Sequence, residues 1–138
     1  MEHAALTEAI IGSGMKVHRT LGPGFLESVY KNALVIELRS RQLSVEREKR
    51  LQVHYEGSVV GDFSVDICVE GLVFVEVKAV RTLVPRHETQ LVNYLTAVKM
   101  EVGLLLNFGG DELQFKRKTR TYRPPRRGRI LSPSDELP

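Results

Sequence analysis

The stretch "DICVEGLVFVEVKAV", residues 66–80, decides how this chain is read. Glu70 and Gly71 form a tight-turn signal between two strand-like runs, so the stretch predicts an antiparallel hairpin. Its second half, Leu72 to Val80, is valine-rich like a buried strand, yet Glu76 and Lys78 interrupt it two positions apart. Residues two apart on a strand share a face, so Glu76 and Lys78 project together, opposite Val75 and Val77. Just upstream, Phe63, Val65, Ile67 and Val69 alternate with Asp62, Ser64, Asp66 and Cys68, which predicts one core face and one polar face. A one-residue slip would reverse the face of Asp66, but the hairpin keeps it within a few residues of Glu76. Two carboxylates held close in a partly buried place repel unless a positive charge stands between them. A divalent cation with oxygen ligands, Mg²⁺ or Mn²⁺, meets that need, whereas zinc prefers Cys or His. The plainer alternative is a cross-strand salt bridge on a solvent face. The apolar runs around Glu76 weigh against it, because a buried strand keeps charges at a cost unless they are paired or functional.

Working outward, Leu6, Ile10, Met15 or Ala9, and Val17 recur with a helical period and predict a first helix from Leu6 to about Arg19. "LGPG" at 21–24 breaks the chain direction. A second helix is expected from about Phe25 to Arg41, with Leu26, Val29, Ala33 and Ile36 or Leu34 towards a core and Glu27, Tyr30, Leu34 and Glu37 along a neighbouring stripe. Residues 45–55 alternate and read as a strand ended by Glu56 and Gly57. Beyond the hairpin, "VPRHETQLVNYLTAVKM" returns to helical spacing, with Pro85 at its start, where the missing amide does little harm. "EVGLLLNFGG" is a further buried strand and "LQFKRK" a last edge strand. Two helices, a three-strand antiparallel meander, a crossover helix and one or two further strands in a mixed sheet make an α/β (α+β) fold.

With 138 residues, 42% hydrophobic and 27% charged, the chain has the length and make-up of one folded domain. The lone Cys68 excludes an internal disulfide, and no Cys and His cluster has zinc-site spacing. The N-terminus lacks the pattern of a secretory signal and no apolar run is long enough to cross a bilayer, so the expected location is the cytoplasm, with no membrane partner. Charge is uneven: residues 116–138 carry eight Lys or Arg against two acids, a net of +6, whereas residues 1–115 carry a net of −3. A proline-interrupted arginine cluster favours polyanions by counter-ion release, or else serves only solubility. The expected division is a domain over 1–118 and a basic, flexible C-terminal tail over 119–138. "LGPG" lacks the Lys and Ser or Thr of a nucleotide-binding loop, and no nucleophile–base pair stands out. His87 reads as a surface or structural histidine rather than a general base.

Three segments together carry a resemblance: "HRTLGPGFLESVYKNALVIELRSRQL", "GDFSVDICVEGLVFVEVKAV" and "HETQLVNYL". They resemble the GxxExxY family, a branch of the PD-(D/E)XK nuclease superfamily, whose name is spelled here by Gly24, Glu27 and Tyr30. The likeness covers roughly residues 5 to 118, and it implies a restriction-endonuclease-like core. It matches Asp66 to the signature aspartate, and Glu76 and Lys78 to its second acid and lysine. Val65 stands where the signature has proline. Glu27 matches an additional helical acid of the metal site, and Gln90 and Tyr94 match a glutamine and tyrosine beside it. The implied activity is metal-dependent hydrolysis of phosphodiester bonds, DNA being the expected substrate, with Asp66, Glu76, Lys78 and Gln90 catalytic. Glu27, Asp66 and Glu76 would hold Mg²⁺ or Mn²⁺. Nucleic-acid contacts are assigned to Tyr30, Tyr94, Lys116, Arg117, Lys118, Arg120, Arg123, Arg126 and Arg127. The competing reading of the two tyrosines, core residues with wet hydroxyls, is the one their residue type favours. The alternative function is a catalytically silent nucleic-acid-binding or protein-interaction module on the same fold, and a homodimer is a further possibility.

Overall fold

The change of period along the chain, from helical to alternating and back, is realised in the computed structural model, which describes residues 2–120. The elements are α1 (Ala4–Leu21), α2 (Glu27–Ser40), β1 (Val45–Tyr55), β2 (Ser58–Val69), β3 (Val73–Lys78), α3 (Pro85–Val98), β4 (Val102–Asn107) and β5 (Gln114–Thr119). The strands lie side by side in chain order. Neighbours are antiparallel except β3 and β4, which run parallel and are joined by the crossover helix α3. This is the expected α+β fold with a restriction-endonuclease-like core. Among the described residues no helix is long and apolar enough to cross a membrane.

Two cores explain why β3 and β4 are apolar on both sides. On one face, Ile10 and Val17 of α1 and Leu34, Val35 and Leu38 of α2 pack with Val73, Val75, Val77, Leu104 and Leu106. On the other, Leu91 and Leu95 of α3 pack with Phe74, Cys68 and Leu105. Gly14 does not weaken α1 but lets it approach the sheet: a Cβ there would stand 3.1 Å from Leu113 and 3.3 Å from Leu106.

Three expectations are corrected. The buried stripe of α2 is Tyr30, Leu34, Val35 and Leu38, whereas Leu26 and Ile36 are exposed. The helix turns this way because the Tyr30 ring stacks on Phe108, 4.9 Å between centroids, giving the aromatic surface priority over the aliphatic stripe. Met15 of α1 is likewise exposed. The alternation of β2 also turns over midway. Val65 joins the α3 core and Phe63 contacts Tyr94 of α3, while Ile67 and Val69 join the opposite core. The ladder to β1 passes from Arg47↔Ile67 to Lys49↔Val65 without a Glu48–Asp66 rung, and Glu48 has a left-handed φ of 49°. Strand β5, the expected last edge strand, pairs with β4, Thr119 opposite Val102. The tail from residue 121 onward, with Arg123, Arg126 and Arg127, lies outside the described residues.

Candidate active site

Strands β2 and β3 pair at Val69↔Val73, Cys68↔Phe74 and Ile67↔Val75, and there the ladder stops. One step further along the same register, Asp66 would face Glu76. Instead of bonding backbone to backbone, the strands part and the side chains take over. The amide of Asp66 donates to Oε1 of Glu76 at 2.9 Å, and the amide of Val77 donates to Oδ2 of Asp66 at 2.8 Å. Glu76 is only 7% exposed. Burial first, then the charge of Asp66, pushes its carboxyl up to about 7, with Glu27 adding to the rise while the Asp66 amide and the Lys78 ammonium oppose it.

Other elements aim at the same point. Glu27 sits in the first turn of α2, exposed, and its charge bears on both Glu76 and His87. The loop before it is held from within. Gly24 adopts φ 108°, open to glycine but not to a side chain, the Tyr30 hydroxyl donates to the Gly22 carbonyl at 2.5 Å, and the Phe25 amide donates to that hydroxyl at 3.1 Å. The ammonium of Lys78, half-buried at the end of β3, acts on Glu76 and His87 alike. Burial, then Lys78 and Arg86, hold His87 below the usual histidine range, and its Nδ1 accepts from the Val84 amide at the start of α3. One helical turn on, exposed Gln90 lines a groove of about 560 Å³ with Val53, Phe63, Arg86, Asn93 and Tyr94. Burial, then the charges of Glu76 and Asp66, raise the pKa of the Tyr94 phenol in this groove.

Among the described residues no group of three His, Cys, Asp or Glu side chains stands close enough to hold a metal ion unaided. The residues that could hold an ion are the pair Asp66 and Glu76, joined through their strands' amides. That fits a hard cation such as Mg²⁺, which keeps several waters and takes only one or two carboxylates. Residues 4–119 match the model of the PD-(D/E)XK nuclease superfamily. The chain belongs to this superfamily. PD-(D/E)XK nucleases generally use divalent metal ions. Among solved structures, the superfamily fold of this chain resembles the crystal structure of SSO0001, with 16% identity and a TM-score of 0.54 over 88% of this chain. It also resembles an alkaline exonuclease (LHK-Exo) from Laribacter hongkongensis, with 11% identity and a TM-score of 0.50 over 88% of this chain and 72% of that one. The chain spans 61% of the length of the SSO0001 structure. No curated protein matches.

Within this nuclease-superfamily domain, not every predicted residue reaches the site. Tyr30 is fully buried and its hydroxyl is spent on the loop, so it has no surface to offer nucleic acid; it is a core residue. Lys116, Arg117 and Lys118 lie on β5, two strands from β3. There Lys118 pairs with Glu88 of α3 at 2.5 Å, and the Arg117 guanidinium donates to the Glu2 carbonyl, which leaves Lys116 the exposed member. Arg120 fastens the strand end through its amide, 2.7 Å from the Glu101 carbonyl. A larger groove, about 690 Å³ and lined in part by Lys49, Leu51, Cys68, Phe74 and Met100, contains none of the predicted site residues.

Three residues of the site escaped sequence reasoning. Lys31 donates to Asp66 Oδ1 at 3.3 Å, and its position four residues after Glu27 was a usable signal, since such residues share a helix face. Phe63, on the expected core face of its strand, is 42% exposed in the groove. Buried Asn107, opposite Lys78 in the register, bonds both the amide and the carbonyl of Val80. Nothing local in the sequence announces that clamp.

Proposed function

We propose that this chain is a metal-dependent nuclease of the GxxExxY branch, hydrolysing phosphodiester bonds of DNA, with Mg²⁺ or Mn²⁺ as cofactor and the cytoplasm as its location. One observation carries the reading: buried Glu76 beside Asp66, with Lys78 two residues on, where β2 and β3 part. Asp66 and Glu76 would hold the ion, matching the signature's acids, and Glu27 would act on it through water. When bound, the ion polarises a scissile phosphate and lowers the pKa of a bound water. Lys78 is placed to offset negative charge growing on the phosphate oxygens and to orient the attacking water. Gln90 hydrogen-bonds water or a phosphate oxygen, and Tyr94 supports it. Arg86 and Phe63 extend the contact surface along the groove. Lys116 and the arginines at 120, 123, 126 and 127 add phosphate contacts of the salt-sensitive kind.

The test is cleavage of DNA and RNA in Mg²⁺ or Mn²⁺ by the wild type, Glu76→Ala, Lys78→Ala and the double variant. The expected result is cutting of DNA by the wild type and its loss in each variant. Cutting that survives in the double variant belongs to a contaminant and removes the proposal.

A second reading, the catalytically silent binding module, draws on the ion pair between Lys31 and Asp66, which supplies an internal cation where a metal would sit. Salt-dependent DNA binding with no calorimetric response to metal supports that reading instead.

A further inference from the structure

Asp66 already faces a cation. The Lys31 ammonium, on a side chain 16% exposed, lies 3.3 Å from Asp66 Oδ1 and 2.5 Å from Glu48 Oε1. Burial works against its charge, but the hydrogen bond to Glu48 and the charges of Asp66 and Glu48 outweigh burial and leave its pKa raised. A lysine ammonium is charged at neutral pH, and here it is fixed between two acids. Of the two, Asp66 is the more enclosed, its side chain 15% exposed against 51% for Glu48.

Both anchors are built features. Asp66 is turned by its bond from the Val77 amide, which leaves Oδ1 as the oxygen that meets Lys31. Glu48 is presented by the left-handed residue at which the β1–β2 ladder misses a rung. Left-handed backbone is uncommon for a residue with a side chain and worth a physical explanation. Here it carries Glu48 to the ammonium that reaches across from α2.

We infer that Lys31 is an internal counter-cation of the metal site: it holds Asp66 Oδ1 when no metal is bound, competes with a divalent ion for that oxygen, and retreats to Glu48 when the ion enters. The inference rests on the proposed metal-binding reading of Asp66 and Glu76. Its sign follows from charge. An ammonium and a divalent cation at one carboxylate repel, and in a partly buried place that repulsion is only partly screened. Lys31 therefore lowers metal affinity, and Glu48 restores some of it by offering the displaced ammonium another partner. A merely structural bridge, pinning α2 to the kink in β1, gives the opposite expectation, because removing it would loosen Asp66 and weaken the site.

The experiment is calorimetric titration of the full chain with Mn²⁺ alone, without nucleic acid, with folding checked by circular dichroism. Lys31→Met, which keeps the stem and removes the charge, is expected to bind Mn²⁺ about tenfold more tightly than the wild type. Glu48→Gln is expected to bind more weakly, since Lys31 then has only Asp66 to pair with, and it supplies the answer if Lys31→Met fails to fold. Unchanged or weaker binding by folded Lys31→Met, or unchanged or tighter binding by Glu48→Gln, overturns the inference and leaves the metal site standing. Absence of Mn²⁺ binding in every form, wild type included, removes the metal-site reading itself and the inference with it.

Discussion

Asp66 and Glu76 each hold the other's strand: the Asp66 amide bonds a Glu76 oxygen at 2.9 Å, and an Asp66 oxygen bonds the amide next to Glu76, at Val77, at 2.8 Å. Two neighbouring strands can part inside a sheet only if their freed backbone donors find other acceptors, because an unpaired buried amide is costly. The carboxylates supply those acceptors. The parting of the strands and the gathering of negative charge are one structural event. It is placed where Lys78, Glu27 and α3 converge.

The raised carboxyl of Glu76 makes stability depend on pH. Its folded value, about 7, exceeds the ordinary 4.5, so between those limits the folded state binds more proton than the unfolded chain. Stability therefore falls as pH rises through that window, and the full penalty, on the order of 3 kcal/mol, is present above it. Glu76→Gln keeps an oxygen for the Asp66 amide and removes the charge. In chelator, urea unfolding should show the variant more stable than the wild type at about pH 8, with the gap closing towards about pH 5. A gap independent of pH would show that Glu76 does not titrate in this way.

Tyr30→Phe tests the loop that presents Glu27. The ring and its stack on Phe108 remain, but the Phe25 amide and the Gly22 carbonyl lose the hydroxyl that serves both. A loss of about 1 kcal/mol is expected in urea unfolding, the cost of removing a hydroxyl that serves two part-buried backbone groups. A loss below about 0.5 kcal/mol would mean that water replaces the hydroxyl freely.

Those two residues also mark what the sequence could and could not disclose. The order of elements was legible because local periodicity determines it; β1 matches its expected ends and α3 lies within two residues of them. The meeting of Asp66 and Glu76 was legible because a tight turn fixes how far apart two hairpin residues lie. The facing of α2 was not, since it depends on Phe108, a partner distant in the chain. Nor was the turnover of β2, which follows from a missed rung opposite Glu48 rather than from any pattern in β2 itself. Apolar spacing shows that a face is buried, but the choice between two competing faces is made by packing.

Phe63 offers a check on the groove. The residue is 42% exposed, and its ring stands 5.6 Å from that of Tyr94, tilted by 47°. Stacking of a base on such a ring is worth about 1–3 kcal/mol, so Phe63→Ala should weaken binding of single-stranded DNA about tenfold. Fluorescence anisotropy in a Glu76→Ala background, which prevents cutting, gives the comparison. Affinity unchanged by the substitution would place the nucleic acid elsewhere.

Asn107 is the support under Lys78. It is fully buried, and its amide group makes four hydrogen bonds: Oδ1 accepts from the amides of Val80 at 2.9 Å and Gly109 at 3.1 Å, while Nδ2 donates to the Val80 carbonyl at 2.8 Å and to Gln114 Oε1 at 2.9 Å. These bonds fix the chain two residues after Lys78, beside the bond from the Phe108 amide to the Lys78 carbonyl. Only asparagine has this shape with donors and acceptor together. Asn107→Asp keeps the size but turns the two donors into an acceptor facing two oxygens, so it should cost about 3 kcal/mol or more near neutral pH and less in acid, where the carboxyl regains a proton to donate. Urea unfolding across that range measures it. Equal losses at both ends of the range would show that the cost does not follow the ionisation of the new carboxyl.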